Sequence, residues 1–348
     1  MSTDSTNSMP GRRKAPTILD IAAEAGVSKS AVSRALLGQG EVSDVTRERV
    51  EAAARRLGYV ANAMAAGLRS RTRTLGVVLR DVNRPYYSRL FAALQEQAET
   101  RGYRLVAMTS AGELEVDDAI GAMKSLISLQ VDGLILASAQ LDSELVKPYI
   151  DRVPMVVAGR MELGTVSGVY GDEADGGRQL ADYLLDAGHR RIAVGVVDQA
   201  YSRSQHLCTS AMVEQITKRG AAAVAIEVGS DWDLVANMDR IVEDTSLTAL
   251  MCPTDAAMVD VLEVLRQRGL SCPDDLSVTG YGGIGALAQP FFGFTSFRQP
   301  VDHIGAQAVD LIIRAIDADG NLERTHIAIG GSLIPGRTVR PVTVGASR

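Results

Sequence analysis

Apolar and polar positions over the first sixty residues repeat with the period of a helix. Ile18-Leu19-Asp20-Ile21-Ala22-Ala23-Glu24-Ala25 follows Thr17, and Thr17 and Asp20 have the spacing of a capping box with Asp in the acidic position. Gly26-Val27-Ser28 supplies a tight turn and a new N-cap. From Ser28 to Leu36 the two kinds of residue separate completely. At about 100° per residue, Lys29, Ser30, Ser33 and Arg34 fall within roughly 140°, while Ala31, Val32, Ala35 and Leu36 fill the opposite arc. A third helix is expected from the Ser43 cap to Leu57, with Val50, Ala53 or Ala54, and Leu57 turned toward the first two and Gly58 as its C-cap. Two short helices joined by a three-residue turn containing glycine form a helix-turn-helix, whose second helix fits a DNA major groove.

From Thr74 the pattern changes to short β-rich runs alternating with longer amphipathic stretches. Strands are expected at 75–79, 104–108, 133–137, 155–158, 192–197, 223–228, 249–252 and 276–279, and helices at 87–101, 176–187, 257–268 and 302–316. Such alternation predicts parallel sheets with crossover helices. The run is about twice the length of one doubly wound unit, so two such units with a cleft between them are expected.

The ordered string Thr17-Ile18, Asp20-Ile21-Ala22, Ala25-Gly26-Val27-Ser28, Val32-Ser33-Arg34 and Leu36, continued by Val42-Ser43, Thr46-Arg47, Val50, Leu57-Gly58-Tyr59 and Asn62, closely resembles the DNA-binding headpiece of the lactose-repressor (LacI) family of bacterial transcription regulators. The resemblance runs on to about Pro341. It implies a helical headpiece joined to an α/β core like that of periplasmic binding proteins, with two doubly wound parallel-sheet subdomains between which the chain crosses three times. The expected division is a disordered tail over 1–15, a headpiece over 16–60, a hinge helix and linker over 61–74, a core over 75–341 and a tail over 342–348. Within the core, an N-subdomain would hold about 75–170 and 298–325, and a C-subdomain about 171–297 and 326–341.

The resemblance also implies roles for individual residues. Lys29, Ser30 and Arg34 align with base-reading positions: Arg34 suits bidentate contact with guanine O6 and N7, and Ser30, able to donate or accept, specifies less. Thr17, Ser28, Ser33 and Asn62 suit phosphate contacts, which set register without reading sequence. Leu68 matches a wedge that enters the minor groove from the hinge helix, although Ala61 stands where the family usually has Pro. In isolation Lys29 and Arg34 would read as a solvated face, and Leu68 as packing against the headpiece. The implied protein is a homodimer on a pseudo-palindromic operator, most often a repressor.

Around the implied effector cleft the agreement is uneven. Asp81-Val82-Asn83-Arg84-Pro85-Tyr86-Tyr87 matches a stretch ending Asn-Pro-Phe-Phe, which places Tyr86 and Tyr87 at the cleft with Arg84 replacing the Asn. Arg160 takes the family's Arg position after the fourth strand, preceded by Gly159 instead of Asp. Trp232, the only Trp, fits a ring that stacks on ligand, and Thr254-Asp255 fits Asn-Asp. A ligand-holding Arg falls on Cys208, with Ser202, Arg203, Ser204 and His206 nearby as substitutes, and Gly282 replaces an Asp. A site without those groups disfavours a richly hydroxylated sugar, so the expected small-molecule effector is more apolar, differently charged, or absent. Core packing at a subdomain seam is the plain alternative for Tyr86 and Trp232.

Charge and composition refine this picture. The 348 residues carry 36 Lys+Arg and 42 Asp+Glu, a net charge of -6. Residues 1 to 74 hold 12 basic and 7 acidic side chains, hence +5, leaving -11 for the remainder. The basic charge accompanies the helix-turn-helix, as expected of a DNA-binding head on an acidic body. Cys208, Cys252 and Cys272 are odd in number and lack metal-ligand spacing. With no apolar run approaching 18 residues and no apolar signal region, a soluble, cytoplasmic protein without cofactor, metal or membrane contact is expected. Gly280-Tyr281-Gly282-Gly283-Ile284-Gly285 satisfies a dinucleotide-binding pattern, but residues 295 to 301 hold no acid before Asp302 and Gln289-Pro290 interrupts the required helix. A periplasmic sugar-binding protein would share the core but would need a secretion signal. No nucleophile elbow, His-Glu-x-x-His or phosphate-binding loop appears, so no enzyme is expected.

Overall fold

A computed structural model describes residues 16–37, 42–59, 71–110, 115–138, 141–162, 164–229, 234–319 and 322–342. The expected tail over 1–15, most of the 61–74 hinge and linker with its Asn62 and Leu68, Trp232, and residues 343–348 lie outside these. The chain divides between Thr72 and Arg73 into two compact units.

The first unit contains α1 (Ile18–Ala25), α2 (Lys29–Leu37) and α3 (Asp44–Leu57). Thr17 and Asp20 form the full capping box: the Thr17 amide and hydroxyl donate to one Asp20 oxygen at 2.6 and 2.7 Å, and the Asp20 amide donates back to Thr17 Oγ1. Gly26 then adopts φ +63°, the left-handed conformation that lets the chain reverse before α2. Ser43 caps α3 and Gly58 ends it in the same left-handed conformation. Ile21, Ala25, Val32, Ala35, Val50, Ala53 and Ala54 make the core, with Tyr59 packed against it. Leu57, expected to face inward, is 37% exposed; the turn at Gly58 brings Tyr59 into its place.

The second unit has two lobes. In the first, β1 (Thr74–Asp81), β2 (Arg104–Ser110), β3 (Gly133–Ala137), β4 (Met155–Ala158), β5 (Ser167–Gly171) and β11 (His326–Ile329) form a wholly parallel sheet in the order β11-β5-β4-β3-β1-β2. Helices α4 (Pro85–Thr100) and α11 (Val301–Asp317) cover one face through Leu90, Leu94, Ile304, Leu311 and Ile312; α5 (Val116–Ser128) covers the other through Ala119, Met123 and Leu126. The single turn α6 (Ser143–Val146) adds Val146 to that second face. Both faces being covered is why β1 and β3 read as continuous apolar runs.

In the second lobe, β6 (Arg191–Val197), β7 (Ala222–Val228), β8 (Ala249–Met251) and β9 (Ser277–Thr279) form a parallel sheet in the order β7-β6-β8-β9. On one face lie α7 (Glu173–Asp186) and α8 (Arg203–Lys218), and on the other α9 (Met238–Glu243) and α10 (Asp255–Gln267). A two-stranded antiparallel piece, β10 (Ser296–Arg298) with β12 (Ser332–Ile334), accompanies the second and third crossings. The chain passes between lobes at about 171–173, 298–301 and 329–332. One boundary therefore shifts: His326–Ile329, assigned from sequence to the C-subdomain, pairs with β5 in the first sheet, and the chain leaves only after it.

The capping box is the most exposed device holding this small headpiece together. Thr17→Ala in the full chain should destabilise α1 by about 1 kcal/mol, read as faster hydrogen exchange at the Asp20 and Ile21 amides. Unchanged exchange would show that the cap contributes nothing.

Candidate functional sites: a helix face and a cleft

In the first unit α2 sorts its residues as its wheel requires. Val32 and Ala35 are buried, Ala31, Ser33 and Leu36 are half-buried, and Lys29, Ser30 and Arg34 are exposed. Ser28 caps the helix, its Oγ accepting from the Ala31 amide at 3.2 Å, which leaves its hydroxyl hydrogen to donate elsewhere. Thr17 differs: its hydroxyl hydrogen is already spent on Asp20. Arg49 of α3 donates to the Ala25 carbonyl, and Arg56 pairs with Glu24 at 3.1 Å, so α3 braces the turn that positions α2. The result is a short helix whose outward face offers one ammonium, one guanidinium and two hydroxyls, chemistry matched to phosphates and guanine edges.

In the second unit the C-terminal ends of both parallel sheets face each other across a cavity of about 200 Å³. Open α/β sheets bind ligands at such strand ends. Tyr86, Tyr87, Arg160, Ser204, Asp255 and Gly282 line it. Cys208 does not: it is buried in the second lobe beneath Tyr281, with burial pushing its thiol well above the ordinary range. Cys208, Met212 and Ile216 recur every fourth residue as the buried stripe of α8, and that spacing marks a core position. Ser202, Ser204 and Gln205, one turn earlier, reach the cavity instead.

Arg160 lines the cavity but points its charge into the protein. Nε donates to the Ser138 carbonyl at 3.1 Å, Nη1 pairs with Glu162 at 2.8 Å, and Nη2 donates to the Leu141 carbonyl. Its planar fork braces the segment after β3. Asp255 is similarly committed, accepting from the Ser296 hydroxyl at 2.5 Å and the Gly283 amide at 2.6 Å, with burial holding its carboxyl above the usual range. Tyr86 donates to the Gly159 carbonyl at 3.3 Å and meets Tyr87 edge to face at 5.3 Å. Gly159 has φ +90°, and a Cβ there would lie 2.7 Å from the Tyr86 hydroxyl. Gly in place of the family's Asp is thus what admits the Tyr86 ring.

Two groups of functional character escaped the sequence reading. Glu173, the first residue of α7, is buried beside the cavity, where its carboxylate accepts from the Tyr281 hydroxyl at 2.6 Å and from Gln299 at 2.9 Å. Burial outweighs these bonds and raises its pKa to about 7. A carboxylate opening a helix looks ordinary in sequence, so nothing flagged it. The second group spans the cleft: the Arg80 and Arg84 guanidinium groups lie 5.3 and 5.8 Å from the Tyr201 ring centre. Arg84 also donates to the Tyr201 hydroxyl at 2.6 Å and pairs with Asp81 at 3.7 Å, and Arg80 donates to the Tyr201 carbonyl. Arg84 was visible as a replaced Asn; Arg80, at the end of an apolar strand, was not.

Among the described residues no helix is long and apolar enough to cross a membrane, and no cluster of His, Cys, Asp or Glu could hold a metal ion. Residues 17–62 match the bacterial regulatory proteins of the lacI family, and residues 181–339 match the periplasmic binding protein-like domain. Catabolite control protein A of Priestia megaterium is 28% identical over 87% of this chain and 93% of its own length. The HTH-type transcriptional repressor PurR of Vibrio cholerae is 27% identical over 94% of this chain and 99% of its own. A crystal structure of the lac repressor dimer bound to operator and the anti-inducer ONPF shares the fold at a TM-score of 0.78, with 23% identity, covering 94% of this chain and all of that one. The helix-turn-helix with its exposed cationic face, the two-lobed parallel core and these likenesses agree: the chain belongs to the lacI family of bacterial regulatory proteins and is a DNA-binding regulator of transcription.

Proposed function

We propose that the protein is a repressor that binds a pseudo-palindromic operator as a homodimer and is controlled by a small molecule in the core cleft. It acts in the cytoplasm, where the DNA is, and has no catalytic step. The observation that carries the DNA half is the division of α2, with Val32 and Ala35 docked and Lys29, Ser30 and Arg34 presented outward. On this reading Lys29, Ser30 and Arg34 read base edges, Ser28 and Ser33 hold phosphates with Asn62, and Leu68 enters the minor groove. Thr17 contributes through its backbone and cap more than through its hydroxyl, which serves Asp20. One headpiece is too small to select a genomic site, so two on a symmetric operator are needed.

The cleft supports the regulatory half. A cavity at the facing strand ends, bounded by both lobes, gives a ligand contacts that depend on how the lobes are arranged. A ligand that prefers one arrangement shifts the population toward it by that preference and no more. Transmitted through the segments leading to the headpieces, the shift changes their spacing and so the affinity for an operator of fixed half-site separation.

Arg34→Ala should cost about 1 to 3 kcal/mol on an operator selected from random duplexes and relax preference at one base pair of each half-site. Equal losses on selected and random DNA would refute base reading by Arg34. Binding should weaken steeply with added salt as neutralised phosphates release counterions, and a salt-independent affinity would contradict phosphate contact.

A further inference from the structure

Among the described residues, each charged side chain that lines the cavity is already engaged inside the protein. Arg160 is matched by Glu162 and by two backbone carbonyls. Arg84 is held by Asp81 and the Tyr201 hydroxyl, while Arg80 lies against the Tyr201 ring and donates to the Tyr201 carbonyl. Asp255 accepts from Ser296 and Gly283, and Glu173 from Tyr281 and Gln299. A charged ligand would leave water without meeting an uncommitted counter-charge here, and burial of an unmatched charge is costly. A polyhydroxylated one would compete with these internal bonds, and each bond broken leaves a buried group poorly paired.

The rest of the lining is mainly apolar. From the first lobe come Ala137 and Ala158, at the ends of β3 and β4, and the Tyr86 ring, which the missing Cβ of Gly159 admits. From the second come Ile284 and Leu287, in the loop after β9. Ser202 and Thr254 cap α8 and α10, their hydroxyl oxygens accepting from the Gln205 and Ala257 amides. At the start of α8 the Ser204 hydroxyl and the Gln205 side-chain amide are placed to meet a polar atom in the cavity. Helix α8 follows β6, and β6 stands two places from β9 in its sheet, about 10 Å away. From this polar corner to the wall of Ile284 and Leu287 the cavity thus spans the size of one or two fused rings.

We propose that the effector is an uncharged, compact and mainly apolar molecule, one or two rings bearing a single hydroxyl or carbonyl, with its polar atom at Ser204 and Gln205 and its body against Tyr86, Ala137, Ala158, Ile284 and Leu287. This rests on the reading of the cleft as the effector site. Affinity comes from the apolar area removed from water, and orientation from the one polar contact. A carboxylate or ammonium on the same body keeps the apolar contacts but adds an unmatched charge. A sugar of similar size exchanges apolar contact for hydroxyls that find too few partners.

The test is calorimetry on the full chain with cyclohexyl, phenyl and naphthyl bodies, each carrying a hydroxymethyl, carboxylate or aminomethyl group, and with ribose and glucose. At least one alcohol should bind, and at least about tenfold more tightly than the carboxylate or amine of the same body or either sugar. Leu287→Asp, at a half-buried position in a short turn, sets an unmatched charge against the ligand body and should weaken that alcohol at least about tenfold. Ser204→Ala should weaken it about three- to tenfold. A cooperative thermal transition checks that each variant folds; should Leu287→Asp fail to fold, the probe ranking and Ser204→Ala decide. A carboxylate, amine or sugar that equals or exceeds the alcohols, and that either variant affects, overturns the uncharged assignment and leaves the cleft standing as a ligand site. Binding that neither variant changes, or silence from every probe class, overturns the cleft reading and this proposal with it.

Discussion

One buried carboxylate gathers the crossings between the two lobes of the core. Glu173 opens α7 directly after the chain leaves β5, and Gln299 follows β10 where the chain returns. The Glu173 oxygens accept from Gln299 and from Tyr281, so two crossing segments and the loop after β9 meet on a single side chain. Removing a carboxylate from water is costly, and two hydrogen bonds repay only part of the cost, which is why it holds its proton up to about pH 7. The arrangement trades stability for a fixed meeting point near the edge of the first sheet, where β5 and β11 lie. Arg80 lies at the end of β1 and Arg84 just beyond it, toward the other edge, so their contacts with Tyr201 join the lobes at a separate place. Residues of both anchorages, Glu173 and Gln299 on one side and Arg80 and Arg84 on the other, line the cavity.

The headpiece depends on different physics. Its core is mainly alanine with Ile21, Val32 and Val50, a small apolar area for three helices. Short helices with so little to bury rely on their ends, and among the described residues these are set by Thr17 with Asp20, Gly26, Ser28, Ser43 and Gly58. Those same caps are why α2 can devote a whole face to an external partner without losing its place.

The unequal legibility of the two ends in the sequence has the same origin. Caps and wheel faces are local, so the helix-turn-helix could be read residue by residue; only Leu57 was misjudged, because a left-handed turn substituted Tyr59 for it. Strands buried on both faces stood out as apolar runs. β5, with glycines at 168 and 171, and the short strands β10 to β12 did not, since their pairing is set by distant residues. Tyr86, Tyr87, Ser204, Asp255 and Gly282, expected at the cleft from sequence, line the cavity. Sequence could not say that Arg160 faces inward, because that depends on the carbonyls of Ser138 and Leu141. Glu173 and Arg80 acquire their character from burial, a property of the folded chain alone.

Everything in the headpiece serves recognition of one symmetric DNA sequence. Nuclease footprinting of the full-length protein on fragments of its own genome tests it most directly. The expected result is a protected segment of roughly two helical turns whose halves are related as an inverted repeat, with protection surviving an excess of unrelated duplex. Protection that is absent, spread evenly over all fragments, or confined to an unsymmetrical site would contradict it.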